Sequence, residues 1–347
     1  MSGFLPVRRN HALKVLKALR EDSGTGPDQL ATRVLKKCAV VLAIPVAVLV
    51  RIILLHGNWP VSWKLHWIYP LHKRASRSDA KHYRGIHLTA QLSKVSERIL
   101  GLHLSPYLES SLAYGQYQFA YIRGRGYRDA LAFNVCSWVW ALGNRKRIGL
   151  YCSDVAGAFD RVNADKLVDK LSAKGVHERL LQVIRSWLGN RSAHVCVDGV
   201  LSDSFLLSNM VFQGTVWGPS LWNSYYADAS EAVELHGFLG TVFADDLNCF
   251  KIFDGAIGDA FVHTESRKCQ HSLHEWGRAN QVVFEPSKES FYILDARHPS
   301  GSNFKMLSVP FDAKLQMFDA AIEFAGVAGW RLKTLLRAQC CYEKATL

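Results

Sequence analysis

The chain has no C-x-x-C pair, no apolar run as long as a bilayer is thick, and few acidic residues in its first 150 positions. Its eight cysteines (Cys38, Cys136, Cys152, Cys196, Cys249, Cys269, Cys340 and Cys341) lie scattered through apolar stretches, which excludes a structural zinc site of ordinary spacing. They read as reduced, mostly buried thiols. The most hydrophobic run, Cys38 to Val50, is 13 residues long, contains Pro45 and ends against Arg51. A membrane span needs about 20 apolar residues. The run therefore reads as a buried helical segment, and no membrane partner is expected. The opening residues lack the charged-then-apolar pattern of a secretory signal. Internal repeats and low-complexity tracts are missing too, which argues against a solenoid or a disordered array.

What is present is a foldable and unevenly charged chain. It has 347 residues, 49% of them hydrophobic and 21% charged, enough to bury a large core and divide into two or three subdomains. Net charge is +12, but residues 1–150 hold 23 Lys and Arg against 7 Asp and Glu, while the remainder holds 19 against 23. The front half reads as a polyanion-binding surface, since basic faces attract nucleic acid through phosphate contacts and counterion release.

The sharpest signal in the acidic half is Asp245-Asp246, inside the apolar stretch Gly240 to Phe250. Strand-forming residues flank the pair, which predicts a hairpin with two carboxylates at its tip. Adjacent like charges repel unless cations sit on them, and hard divalent ions with oxygen ligands are their natural partners. For an isolated Asp-Asp an ordinary polar turn is the competing reading. A second acidic site weighs against it. Ile148 to Cys152 is an apolar run leading into Asp154, and a small-residue turn leads on to Phe159. This predicts a buried strand with a carboxylate at its exit. Brought beside Asp245 and Asp246, Asp154 would complete three carboxylates able to hold two magnesium ions about 3.5–4 Å apart, the arrangement for in-line phosphoryl or nucleotidyl transfer.

Periodicity places the rest. Helices are expected over 28–56, 91–112, 127–142, 164–173, 177–188, 219–235, 258–277 and 314–338, with a strand from Trp63 to Leu71 and a hairpin over 193–209 turning at Asp198-Gly199. Gly115 to Gly126 is a glycine-, tyrosine- and arginine-rich loop.

The acidic segments and their neighbours resemble an ordered motif set. Asp154 to Val162 resembles motif A of reverse transcriptases, and Phe243-Ala244-Asp245-Asp246 their motif C. Between them Gln213 to Pro219 resembles motif B. After them Trp276 to Asn280 and Phe284 to Ser290 resemble motif D. Trp63-Lys64, Tyr69 to Arg74, Tyr83 to Leu88 and Ser93 to Arg98 resemble the fingers segments, and Gly26-Pro27-Asp28 a further family element. The similarity is to reverse transcriptases of non-LTR (LINE-type) retrotransposons and covers residues 24 to 340.

This resemblance implies an α+β right-hand polymerase with fingers, a palm of antiparallel sheet backed by helices, and a truncated thumb. The expected divisions are a basic leader (1–23), fingers with part of the palm (24–147), a palm carrying motifs A to D (148–300) and the start of a thumb (301–347). It implies an RNA-directed DNA polymerase that extends a DNA primer on an RNA template with deoxynucleoside triphosphates. Two Mg2+ ions, with Mn2+ as an alternative, would sit on Asp154, Asp245, Asp246 and the Val155 carbonyl. Phe159 would exclude a 2′-hydroxyl, and Gln213 and Gly214 would line the nucleotide pocket. Lys73 and Arg84 would contact the triphosphate. Lys288 would give a proton to the leaving pyrophosphate, and Asp160 would be structural. Arg123, Arg125 and Arg128 would contact template or primer backbone. Three positions depart from the family pattern: Gly85 for a proline, Gly157 for a polar residue and Trp217 for a leucine. Neither the endonuclease domain nor the cysteine-histidine region usual in such proteins is in the chain. A catalytically silent nucleic-acid-binding fragment is therefore the alternative, and an RNA-dependent RNA polymerase a remoter one that Phe159 disfavours. A nuclear location is expected from the family alone, because copying is primed on chromosomal DNA.

Overall fold

A computed structural model describes residues 6–73 and 76–339, the side chains of 335–339 excepted. Arg74 of the fingers resemblance, and Cys340 and Cys341, lie outside the described residues. The chain opens with three helices, α1 (Arg9–Lys17), α2 (Thr32–Lys37) and α3 (Ala39–His56). The antiparallel pair β1 (Leu65–His72) and β2 (Tyr83–Leu88) follows, then α4 (Gln91–Ser110) and α5 (Tyr127–Gly143). The middle of the chain forms β3 (Arg147–Asp154), α6 (Ala164–Ala173), α7 (Glu178–Leu188) and strands β4 (Arg191–Val197), β5 (Val200–Leu201) and β6 (Phe205–Leu207). Next come α8 (Gly218–Tyr226), α9 (Ala229–Glu234) and the hairpin β7 (Leu239–Phe243) and β8 (Asp246–Phe253). The rest is α10 (Asp259–Asn280), β9 (Ser290–Leu294), β10 (Phe304–Met306), β11 (Val309–Phe311) and α11 (Phe318–Gln339).

Local chemistry accounts for several boundaries. Asn163 caps α6 by accepting from Lys166 N, and Gly57 ends α3 in a left-handed conformation at φ 68°. Asp198 and Gly199, at φ 49° and 83°, make the two-residue turn between β4 and β5. One expected helix, 219–235, is broken into α8 and α9 around Ala227 and Asp228.

The central sheet runs β7-β8-β3-β9, with every neighbour antiparallel. Both of its faces are covered. Ile148 and Leu150 of β3 pack with Trp138 of α5, Phe250 and the β10–β11 hairpin. Tyr151 joins the main core with Leu247 and Cys249 and the α10 residues Val262, Cys269 and Leu273. A near-continuous apolar strand ending in a carboxylate is what such double coverage requires. α10 lies close because residue 149 is glycine: a Cβ there would meet Val262 Cγ1 at 2.7 Å. A second sheet, β2-β1-β4-β5 with β6 beside β4, pairs β1 parallel to β4 and forms the opposite wall of the molecule.

Buried Glu97 ties α4 to α7 and to the loop before α8. Its carboxylate accepts from Ser93 Oγ (3.1 Å), Trp187 Nε1 (3.2 Å), Val216 N (2.8 Å) and Trp217 N (3.3 Å). Trp217 returns a bond from Nε1 to the Glu97 carbonyl (2.8 Å) and packs on Trp59 and Trp187. The bulk of Trp217, a departure from the family pattern, is thus absorbed into the core.

Two expectations need correction. The stretch Cys38 to Val50 is half buried only: Val46, Ala47 and Val50 are inside, while Val40, Val41, Ile44 and Val48 are exposed. By length and composition α3 could cross a membrane, yet its inner face packs on α1, α4 and α7. Of the described thiols, Cys196, Cys249 and Cys269 are buried but Cys38 and Cys136 are exposed. α1 packs on α3 and α4, and Phe304, Met306 and Phe311 complete the core around Trp138. The reason is volume, since Trp138 needs apolar partners on every side and three of its ring contacts come from Phe250, Phe304 and Phe311.

Trp138→Ala should therefore cost about 3–5 kcal/mol in urea unfolding. Trp138→Phe should cost under about 1.5 kcal/mol, because the buried indole N–H it removes has no partner. Equal costs for the two variants would contradict this packing.

Candidate active site

The antiparallel register sets Asp154, last residue of β3, opposite Asp246, first residue of β8. Ala244 and Asp245 form the two-residue turn between β7 and β8. Ala244 sits at φ 60°, a left-handed conformation that costs an L residue about 1–2 kcal/mol. Two hydrogen bonds hold it there: Ala244 N donates to Gln118 Oε1 (3.1 Å), and Trp222 Nε1 donates to the Ala244 carbonyl (2.9 Å). Gln118 Oε1 also accepts from Phe119 N (3.1 Å) and Ala120 N (2.9 Å). Sequence reasoning missed Gln118 and Trp222, which position the turn. The available signal was a lone amide within the short apolar stretch Tyr117 to Ala120.

Motif D is lashed to the exit of β3. Glu285 N donates to the Asp154 carbonyl (2.9 Å) and Ala156 N to the Val283 carbonyl (2.8 Å). The Lys288 ammonium donates to the Asp154 carboxylate, which raises the lysine pKa. Next to it, Glu289 accepts from the Tyr151 hydroxyl and Gln270 Nε2 (3.2 Å), and His274 Nε2 lies 2.8 Å from it.

These residues face an open cleft of about 1000 Å3. Asp154, Val155, Asp245, Asp246 and Lys288 form one side, and Lys73 and Arg84 stand on the β1–β2 side. Phe159, Gln213 and Asp160 also line it. Phe159 lines the cleft and packs against the main core, its ring stacked on Trp222 at 6.0 Å. Gly157, another departure from the family pattern, adopts φ 65°, where a side chain is disfavoured.

The remaining expected residues stand elsewhere. Gly214 lines a separate cavity behind the motif B loop, not the cleft that holds the carboxylates. Its φ of 99° and the 2.7 Å from a would-be Cβ to the His87 carbonyl show what the glycine does: it lets the loop touch β2, where His87 N donates to the Gln213 carbonyl (2.8 Å). Arg125 is an internal brace, donating to the carbonyls of Gln116 (2.8 Å) and Gln118 (3.0 Å). Arg123 and Arg128 are exposed, and none of the three lines the cleft.

The carboxylates repel one another. Burial and Asp154 raise the pKa of Asp245, and burial followed by Asp245 and Asp154 pushes Asp246 up to about 7. A cation would relieve this penalty, and three partly buried acidic side chains suit a hard divalent ion. Among the described residues no His, Cys, Asp or Glu group is gathered as a ready ligand set, and Lys288 occupies the Asp154 carboxylate. The donor chemistry fits divalent metal; engaging Asp154 requires Lys288 to move aside.

A buried polar chain reaches the cleft from behind. Arg191 NH1 lies 2.5 Å from His66 Nε2, and His66 Nδ1 lies 2.9 Å from His87 Nδ1. Arginine only donates, so His66 Nε2 accepts, His66 Nδ1 carries the proton, and His87 Nδ1 accepts. His87, which lines the cleft, is left with its proton on Nε2.

Residues 71–311 match the family model described as reverse transcriptase (RNA-dependent DNA polymerase). Among curated proteins the chain is 25% identical over 248 residues to a probable RNA-directed DNA polymerase from transposon BS of Drosophila melanogaster, covering 70% of this chain and 27% of that protein. It is 30% identical over 174 residues to the RNA-directed DNA polymerase from mobile element jockey of the same fly, covering 50% of this chain and 19% of that protein. A probable RNA-directed DNA polymerase from its transposon X-element is 27% identical over 259 residues, 73% of this chain and 28% of that protein. The chain thus spans between about a fifth and about a quarter of the length of these relatives. Two solved structures share the fold. Apo telomerase from Candida tropicalis truncated from its C-terminal domain has a TM-score of 0.52 at 12% identity, covering 83% of this chain and 60% of that one. Telomerase from the same organism with a fragment of telomeric RNA has a TM-score of 0.53 at 12% identity, covering 75% and 45%.

The polar chain generates a stability prediction. Burial, then Arg191, lowers the His87 pKa from 6.5 to about 4. A lowered folded-state pKa gives stability that is present above the unfolded value and lost as pH falls toward the folded one. Between pH 7 and 5, His87 alone should remove ~2 kcal/mol of unfolding free energy. His87→Gln should lose less over the same interval in urea titrations; equal losses would disprove the neutral, donor-locked histidine.

Proposed function

We propose, for a chain that belongs to the reverse transcriptase (RNA-dependent DNA polymerase) family, that this segment is the DNA-synthesising core of a non-LTR, LINE-type element. Its substrates are an RNA template, a DNA primer and deoxynucleoside triphosphates. The observation that carries the reading is the convergence of Asp154, Asp245 and Asp246 on one cleft with two basic residues on the facing sheet.

Asp154, Asp245 and Asp246, with the Val155 carbonyl, would hold two Mg2+ ions (Mn2+ as an alternative), which when bound activate a primer 3′-hydroxyl and stabilise charge on the phosphates. Lys73 and Arg84 grip the triphosphate across the cleft, Arg84 with the planar fork that suits phosphate. Phe159, backed by Trp222, fills the space a 2′-hydroxyl would need. Gln213 contacts the nucleotide from the floor. Lys288 moves from Asp154 toward the leaving pyrophosphate and gives it a proton. Gln118 and Trp222 keep the carboxylate turn in place before substrate arrives. Arg123 and Arg128, exposed outside the cleft, contact the duplex backbone, with Arg125 bracing the loop between them. Residues beyond the Trp138 core, α11 above all, begin a thumb. A nuclear site of action follows from priming on chromosomal DNA.

Primer extension on poly(rA)/oligo(dT) with dTTP and Mg2+ tests this reading. Asp245→Asn should lower the rate by at least ~10²-fold, the scale for loss of one charge-stabilising group, with primer–template binding retained. Phe159→Ala should raise UTP use relative to dTTP by roughly tenfold. Extension that survives Asp245→Asn would refute the metal assignment.

A further inference from the structure

Lys288 stands in a short turn that is fastened at both ends. Upstream, Phe284 bridges to Val155, and Glu285 N donates to the Asp154 carbonyl (2.9 Å). Downstream, Ser290 pairs with Cys152 as β9 begins. Between Lys288 and that pairing comes Glu289, in an extended conformation (φ −78°, ψ 133°). The two neighbouring side chains point to different places. That of Lys288 is 55% exposed and rests on Asp154, while that of Glu289 is 6% exposed and turns inward.

Among the described residues no lysine or arginine pairs with this inward carboxylate. It is held instead by the Tyr151 hydroxyl of β3 and by two side chains one turn apart on α10, Gln270 Nε2 (3.2 Å) and His274 Nε2 (2.8 Å). A carboxylate only accepts, so His274 carries a proton on Nε2. The His274 ring also stacks on Phe284, 5.3 Å between centroids and 6° between planes. One imidazole thus touches both ends of the turn that bears Lys288. An apolar residue would fasten the turn to α10 at a lower desolvation cost. What the carboxylate adds is direction, since its hydrogen bonds fix the position and the orientation of the backbone one residue after Lys288.

We propose that Glu289 is a positioning residue for proton transfer: held by Tyr151, Gln270 and His274, it fixes the turn so that the Lys288 ammonium swings from Asp154 to the leaving pyrophosphate on a backbone that stays still. This rests on the reading of Lys288 as the proton donor above. In that step an N–H bond of the ammonium breaks and an O–H bond forms on the pyrophosphate oxygen. The bond from that oxygen to the α-phosphorus breaks and leaves its electron pair on the oxygen, and the lysine is left neutral. Glu289 gives and takes no proton and touches no substrate.

Single-turnover extension of poly(rA)/oligo(dT) by the full chain tests this, with urea unfolding as the check on folding. Lys288→Ala should slow the chemical step by at least ~10²-fold, the scale of general acid catalysis. Glu289→Ala should slow it by about tenfold, because the donor is misplaced rather than lost, with the dTTP concentration at half-maximal rate unchanged. Added to Lys288→Ala, the Glu289→Ala change should cost less than about twofold more, since no donor is left to aim. Glu289→Gln should recover most of the rate. Its amide oxygen still accepts from Tyr151 and His274, and Gln270 can turn its own amide oxygen toward the new N–H group. Tyr151→Phe removes one donor to Glu289 and should show the same non-additivity at about threefold. A Glu289→Ala loss of equal size with and without Lys288 would overturn the positioning role. So would an unchanged rate, or a weaker dTTP response at an unchanged rate. If Glu289→Ala does not fold, the cycle of Tyr151→Phe with Lys288→Ala decides the same question. Lys288→Ala at full rate overturns the donor reading and the positioning role with it. A slow Lys288→Ala with an additive Glu289→Ala keeps the donor and sinks only the positioning role.

Discussion

Everything at the cleft depends on the pairing of β3 with β8. Their register places Asp154 against Asp246, and a slip of one residue would send Asp154 to the other face of the sheet. That register is held by what surrounds it. Ile148 and Leu150 must face the Trp138 cluster, while Tyr151 must face α10 and place its hydroxyl on Glu289. The strand cannot slide without exposing one set and burying Asp154. Three mutually repelling carboxylates therefore stay together because the apolar residues behind them leave no alternative.

A second constraint fastens the motif B loop to the helices beside it. Glu97 and the Arg191–His66–His87 chain are buried polar groups whose bonds run between fingers, α7 and the motif B loop. Such groups cost stability wherever a partner is missing. Ser93, Trp187 and the amides of Val216 and Trp217 satisfy Glu97, so the loop bearing Gln213 and Gly214 is fastened to α4. The same fastening makes that loop a wall with a cavity on each side.

Much of the architecture was legible because it rests on local rules. The helices over 164–173 and 178–188, the hairpin at Asp198-Gly199 and the carboxylate-bearing strand and turn follow from periodicity, capping and turn chemistry. Errors arose where partners distant in sequence decide. Whether Cys38 to Val50 is fully buried depends on how many helices pack around it, which periodicity does not state. That Phe304 and Phe311 belong with Trp138 depends on a cavity left by α5 and the sheet. Gly214 matched its motif, yet only its φ of 99° and its close approach to the His87 carbonyl show why a glycine stands there.

The sequence by itself determined the residue types: three carboxylates at strand ends, an aromatic five positions after Asp154, a basic front half and an ordered motif set. Side-chain chemistry and local periodicity are properties of the chain, and they survive without knowledge of the fold. Only the tertiary structure decided that Gln118 and Trp222 hold Ala244 at φ 60° and that Lys288 rests on Asp154. These are contacts between segments tens to more than a hundred residues apart. Their energies come from desolvation and hydrogen-bond geometry, which exist only once the segments meet.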